Sequence, residues 1–323
     1  MIRFLKQSKI ILFFRILLEK LVESVVYAKY IANGGRNKDK DKFRTDLDIR
    51  THALEKGMSI GSVKVGFGKE KAASIIADLK KFLSIGGDKE VVSNYCGILW
   101  KYVSFNEELG ADMSDIKSSI EALEKSEGLE RVDCGGIIRK NRQELLSSLD
   151  SSFPVFSQTR YSVRDFGKDP VSISVLERAL EMCEKTPSAC NRQPWKVYIY
   201  KSDAIREKLF ELQKGCNGFY KDMQYGVLIC GDLCAYNINE LHQLYVDGGM
   251  YAMNFLYSLH SLGVAAIPLT MGHKPSVIKG IKKSLGLKES YFPVLLIGVG
   301  SYPDNYKVAV SHRMDYRKYT SLV

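Results

Sequence analysis

The sequence predicts an α+β fold in which helices cover a sheet and one helix sits at its centre, with a helical extension in front. Three observations carry this. Helical patterns dominate residues 1–150. Beyond a Ser-rich join (SSLDSSFPVFSQ), short apolar runs alternate with helical stretches. One of those stretches, residues 241–262, is apolar nearly all round, as expected of a helix buried inside a fold. The expected division is 1–150 for the extension and 151–323 for the second domain.

Residues 2–31 make a helix candidate with Arg and Lys among strong apolar residues, stopped by Asn33-Gly34-Gly35. It either packs on the protein body or a partner subunit, or lies in a membrane interface, since basic residues flank a Phe/Leu/Ile face. Its apolar run, residues 10–18, contains Arg15 and is far shorter than a membrane span. Residues 36–42 (RNKDKDK) read as a charged linker. The glycines of residues 51–71 invite a phosphate-loop reading, which fails because Gly68-Lys69 is followed by Glu70 and position 63 is Val. Helices are expected at 69–84, 89–108 and 113–125. In the second half a helix at 172–185 precedes a strand at 195–200, a helix at 203–213 and a strand at 225–230. The central helix then leads to strands at 264–267 and 294–299.

With 323 residues, 45% hydrophobic and 26% charged, the composition is that of an ordinary soluble globular protein. A net charge of +10 admits nucleic acid, a membrane surface or phosphates as partners. The basic residues are scattered among acids rather than gathered in a stripe, which argues against nucleic acid. Seven cysteines without framework spacing, and no pair to complete Cys230 and Cys234, predict reduced thiols, no metal site and a cytoplasmic protein.

Four segments could carry chemistry. Arg160, Ser162 and Arg164, in TRYSVRDF, form a plausible oxyanion clamp, because guanidinium forks grip phosphate bidentately. TPSACNRQPW, residues 186–195, is a rigid turn between two prolines whose amides could meet the edge of a flat heterocycle. Gly248-Gly249 inside a helix costs about 1 kcal/mol per residue unless something approaches closely. After the strand at 294–299, GSYP leads on to VSHR, which brings Arg313.

Together these segments resemble the nitroreductase family over roughly residues 153–319. The marks are the RxSxR-like start, the PSxxNxQPW-like loop, the apolar helix running into LGxxAxP, and the IGxG strand with a trailing basic residue. The resemblance implies a mostly antiparallel sheet in a homodimer, with FMN at the subunit interface. Arg160, Tyr161, Ser162, Arg164 and Arg313 would bind the phosphate and pyrimidine edge. Pro187, Ser188, Ala189 and Asn191 would come from the partner subunit. Pro268, Leu269, Thr270 and Met271 would lie near N5 of the flavin. The sequence departs from many relatives at Thr270-Met271, where they have Glu-Gly, and at Ser311, where they have Lys.

The implied activity is a flavin-centred ping-pong transfer from NADH or NADPH to a small-molecule acceptor, with no dedicated acid or base. An FMN-binding module without turnover, and a membrane-surface or partner-binding component of a biosynthetic complex, are the alternatives. Location is expected to be cytoplasmic, with peripheral membrane contact through residues 1–31 in the membrane reading.

Overall fold

A computed structural model of the protein describes residues 9–30, 39–201, 203–237, 240 and 242–323. Residues 2–8 and 31 of the expected first helix, its stop at 33–35, linker residues 36–38 and Leu241 lie outside them. The chain forms two compact units. One comprises residues 1–52, 68–99 and 114–132, and the other 53–67, 100–113 and 133–323. The expected boundary at 150 therefore falls inside the second unit.

The first unit is helical, and the second and fourth helices of the chain run on past residues 52 and 99 into the second unit. Helix α1 (Lys9–Tyr30) exposes Ile10, Phe14, Leu18, Leu21 and Val25. Helix α2 (Lys40–Met58) begins where a charged linker is expected; Asp39 Oδ1 accepts from the N–H groups of Asp41 and Lys42, capping its first turn. Ion pairs one turn apart, Arg44–Asp48 and Arg50–Asp46, support a helix that composition alone disguises. Helices α3 (Lys69–Ser84), α4 (Lys89–Glu108) and α5 (Ser114–Glu127) follow close to expectation. Phe43 meets Phe82 edge-on at 5.9 Å, over a core that includes Leu47, Ile75 and Leu79.

The second unit holds the sheet. Strand β1 (Ile137–Asn141) and helix α6 (Arg142–Ser148) precede α7 (Phe153–Thr159), which occupies the expected Ser-rich join. Then come α8 (Ile173–Glu181), β2 (Trp195–Tyr200), α9 (Asp203–Gln213), β3 (Tyr225–Asp232) and α10 (Gln243–Ser261). The unit closes with β4 (Ala265–Thr270), α11 (Pro275–Ser284), β5 (Tyr291–Gly300) and β6 (Asn305–Ala309). The order β2-β3-β5-β4 is antiparallel throughout, which agrees with the expected sheet. Strands β1 and β6 pair separately as an antiparallel ribbon.

Helix α10 lies on this sheet as the expected central helix, burying Tyr251, Phe255 and Leu259 among sheet residues such as Val227, Ile229 and Ile297. Its glycines divide in role. A Cβ on Gly248 would stand 2.8 Å from Val294, so glycine lets the helix settle on β5. Val294 is the extra residue of a bulge, since Ile229 pairs with Leu295 and Cys230 with Pro293. A Cβ on Gly249 would meet nothing. The outer side of α10 leaves Tyr245, Val246, Met250 and Met253 exposed.

Candidate functional site

The arginine-bearing segment after α7 is stitched to one edge of the sheet. The Val163 N–H donates to the Ala266 carbonyl of edge strand β4, and the Gly167 N–H to Ser301 beyond β5. Val163 and Phe166 are buried between the charged residues, so alternation places the arginines around an apolar anchor.

Arg160 ends α7 half-buried, and its Nη1 is buried without a hydrogen-bond partner among the described residues. Burial pushes its pKa down; Tyr257 and Tyr302 oppose this, and the like charge of Arg313 adds to it. Arg313 itself is exposed on the tail after β6. Arg160 thus keeps a buried guanidinium nitrogen without an acceptor among the described residues, a group that an anion would satisfy.

Behind Arg160 lies a polar chain that the sequence did not reveal. Thr159 Oγ1 lies 2.8 Å from His260 Nε2, and His260 Nδ1 lies 3.3 Å from the Tyr302 hydroxyl. His260 is buried at the end of α10 against Phe156. Burial, with the charge of Arg160 adding to it, pushes its pKa down to about 4, so at neutral pH the ring is uncharged.

Ser162 is half-buried, and its carbonyl accepts from Arg164 Nη1 at 3.3 Å. Arg164 is 8% exposed; burial lowers its pKa to about 10, opposed by the buried carboxylate of Glu55. Tyr161 is half-buried, with the Lys140 ammonium 5.2 Å from its ring centre. Leu269 on β4 and Met271 just beyond it point into the core, while Pro268 and Thr270 occupy the opposite, more open side. A side-chain contact to a ligand from β4 thus falls to Pro268 and Thr270. Pro268 is tolerated because β4 is an edge strand.

The proline-bracketed loop is tightly built. Cys190, Asn191 and Gln193 have left-handed backbones, with φ of 51°, 53° and 48°. Such conformations persist only where surroundings enforce them. The Ser188 hydroxyl accepts from the Gln193 N–H at 2.9 Å, and the Asp247 carboxylate accepts from the Ala189 N–H at 3.3 Å. Arg192 forks onto Glu240 at 2.6 and 2.9 Å and also donates to the Ala189 and Ala235 carbonyls. That pair holds the Glu240 carboxyl down at about 2. Pro187 and Asn191 stay exposed at the surface.

This loop leads into β2, at the edge of the sheet opposite β4. It is tied to Asp247 near the start of α10, whereas Thr159 is tied to His260 at its end. Thirteen residues of helix separate these anchors, roughly 20 Å. One chain thus ties the segment that begins at Thr159 to one end of α10 and the loop at Ala189 to the other. All seven cysteines are free.

The Nitroreductase family model matches residues 158–228. A provisionally named NADH dehydrogenase/NAD(P)H nitroreductase of Methanothermobacter thermautotrophicus is 24% identical over 147 residues, 45% of this chain and 74% of that protein. A provisionally named NAD(P)H nitroreductase of Streptococcus pyogenes serotype M6 is 27% identical over 200 residues, 50% of this chain and 94% of the relative. The solved structure of an FMN-dependent nitroreductase from Clostridium difficile R20291 aligns with a TM-score of 0.44 at 19% identity, over 50% of this chain and 95% of that one. Residues 158–228 thus match the Nitroreductase family model, and residues 1–157 and 229–323 lie outside that match.

Proposed function

We propose that the second unit is an FMN-dependent oxidoreductase, drawing on NADH or NADPH and passing electrons to a small-molecule acceptor by a ping-pong route. The observation that carries this is the buried Nη1 of Arg160, which has no hydrogen-bond partner among the described residues. The family match and the relatives' names support the same reading. When bound, FMN supplies the hydride chemistry, and the protein supplies binding, orientation and electrostatics.

The residues fit that group. Arg160, Ser162 and Arg313 would hold the phosphate, with Arg164 toward the pyrimidine edge and Pro268 and Thr270 beside the ring. His260, kept neutral, adds no third positive charge behind Arg160 and orients Thr159 and Tyr302 through its two nitrogens. Residues 187–191 would arrive from a second copy of the chain, because one chain holds them at the far corner. The exposed Tyr245, Val246, Met250 and Met253 of α10 would form part of the contact between copies.

Purified protein should show flavin absorbance that NADH or NADPH bleaches. Arg160→Ala with Arg313→Ala should release the flavin while far-UV circular dichroism stays native. Full flavin content in that variant would sink the clamp. Thr270, standing where many relatives have Glu, favours a second reading, a domain that holds FMN without turnover. Yellow protein that neither nicotinamide reduces would establish it. The exposed apolar face of α1 supports peripheral membrane contact, although no helix among the described residues is long and apolar enough to cross a membrane. Vesicle flotation that does not change when residues 1–35 are deleted would rule that contact out.

A further inference from the structure

Beside the segment that carries the proposed clamp, the β1–β6 ribbon walls a cavity of about 480 Å³. Its lining includes Arg139, Lys140 and Glu144 from the β1–α6 corner, Asp165 from the arginine-bearing segment, and Tyr306 and Lys307 from β6. That volume lies in the range of small-molecule sites.

The charges are arranged at a cost that something must offset. Arg139 stands directly opposite Lys307 in the ribbon register, and like charges facing each other across strands destabilise the pair. Arg139 finds partial relief from Glu108 at 2.9 Å, an exposed pair of little worth. Neither Lys140 nor Lys307 has an ion-pair partner among the described residues; they rest over the rings of Tyr161 at 5.2 Å and Phe105 at 5.5 Å. Lys307 is half-buried, and burial pushes its pKa down, with Asp165 opposing and Arg139 adding. A Cβ on Gly61 would lie 2.3 Å from Asp165 Oδ1, so glycine there lets the carboxylate pack close to that backbone. With Arg139 paired to Glu108, the two lysines are the cations of this cavity left without an ion-pair partner among the described residues.

We propose that this cavity binds a small molecule carrying a phosphate or carboxylate together with hydroxyl or amino donors. Lys140, Lys307 and Arg139 would take the anion, relieving the cross-strand repulsion, while Asp165 and Glu144 accept from the donors. Residues 139–144 and 305–307 lie outside the family match, whereas Asp165 lies within it. It also borders the clamp segment, through Asp165 next to Arg164 and Lys140 over Tyr161.

Calorimetric titration of the full chain, with the flavin it carries, using glycerol 3-phosphate and malate separately, tests this and separates phosphate from carboxylate. One of the two should bind saturably at one site per chain. Lys140→Met with Lys307→Met should weaken it by about tenfold or more, without changing flavin content. Lys307→Arg should keep the binding that Lys307→Met loses. Arg160→Ala with Arg313→Ala should leave the binding in place, so failure of the cofactor reading would not touch this one. Should the double methionine variant fold poorly, Lys140→Met alone gives the same comparison. Absence of binding by both probes, or undiminished affinity in the methionine variants, would overturn the proposal.

Discussion

Replacing Asp247 by Ala should unfasten the proline-bracketed loop from the central helix. The carboxylate is fully buried and accepts from the Tyr236 hydroxyl at 2.7 Å, Gln243 Nε2 at 2.9 Å and the Ala189 N–H at 3.3 Å. Gln243, one turn away, can turn to water. The Tyr236 hydroxyl and Ala189 N–H lose their acceptor, and each unsatisfied buried donor costs about 1–3 kcal/mol. The expected loss is roughly 2–5 kcal/mol, at the lower end if the strained loop relaxes and finds water. Asp247→Asn keeps the shape and one acceptor and should cost less than the alanine. Urea unfolding followed by circular dichroism gives the free energies, and limited proteolysis reads whether cleavage concentrates at residues 187–193. An alanine variant with a wild-type midpoint and an uncleaved loop would refute the idea that Asp247 anchors it.

Three further outcomes follow from the geometry. The unfolded chain protonates His260 near 6.5, whereas the folded chain does so near 4. Its contribution to stability is therefore complete above about 6.5 and is lost as pH falls toward 4, roughly 3 kcal/mol in all. Unfolding free energies at pH 7 and 4.5 should differ less in His260→Gln than in wild type, and equal slopes would contradict this. Gly167→Ala would bring a Cβ to 2.8 Å from the Tyr302 carbonyl oxygen, beside the hydrogen bond to Ser301. A lowered Tm, about 1–3 kcal/mol, is expected, and an unchanged Tm would show that the bridge gives way freely. Met250→Glu on the open side of α10 should yield monomers by light scattering and lose flavin, whereas a flavin-bearing dimer would exclude that face from the subunit contact.

Legibility in the sequence followed how local the cause was. Residues 195–200 and 203–213 read clearly, because an aromatic and β-branched run and a helical period are each complete within a few residues. Helix α2 was hidden by its Asp and Lys content and by Gly57, although its support comes from ion pairs one turn apart. Strands β1 and β6 (IIRKN and NYKVA) are short and polar, and each is defined by a partner far along the chain, so neither shows as a strand alone. At the site, Arg160, Ser162 and Arg164 sit in one contiguous motif and were legible. The Thr159–His260–Tyr302 chain joins three distant segments, and nothing near any one of them announces the other two.

The pairing of Ile137–Asn141 with Asn305–Ala309 has a practical consequence. A truncated chain that began near residue 151, where the family resemblance starts, would strip β6 of its only neighbour in the ribbon. A row of unsatisfied main-chain donors and acceptors would then face water just upstream of Arg313, inviting pairing between molecules. The C-terminal half would come away aggregation-prone and with Arg313 unmoored, so the stretch preceding it is structural support that biochemical dissection should leave attached.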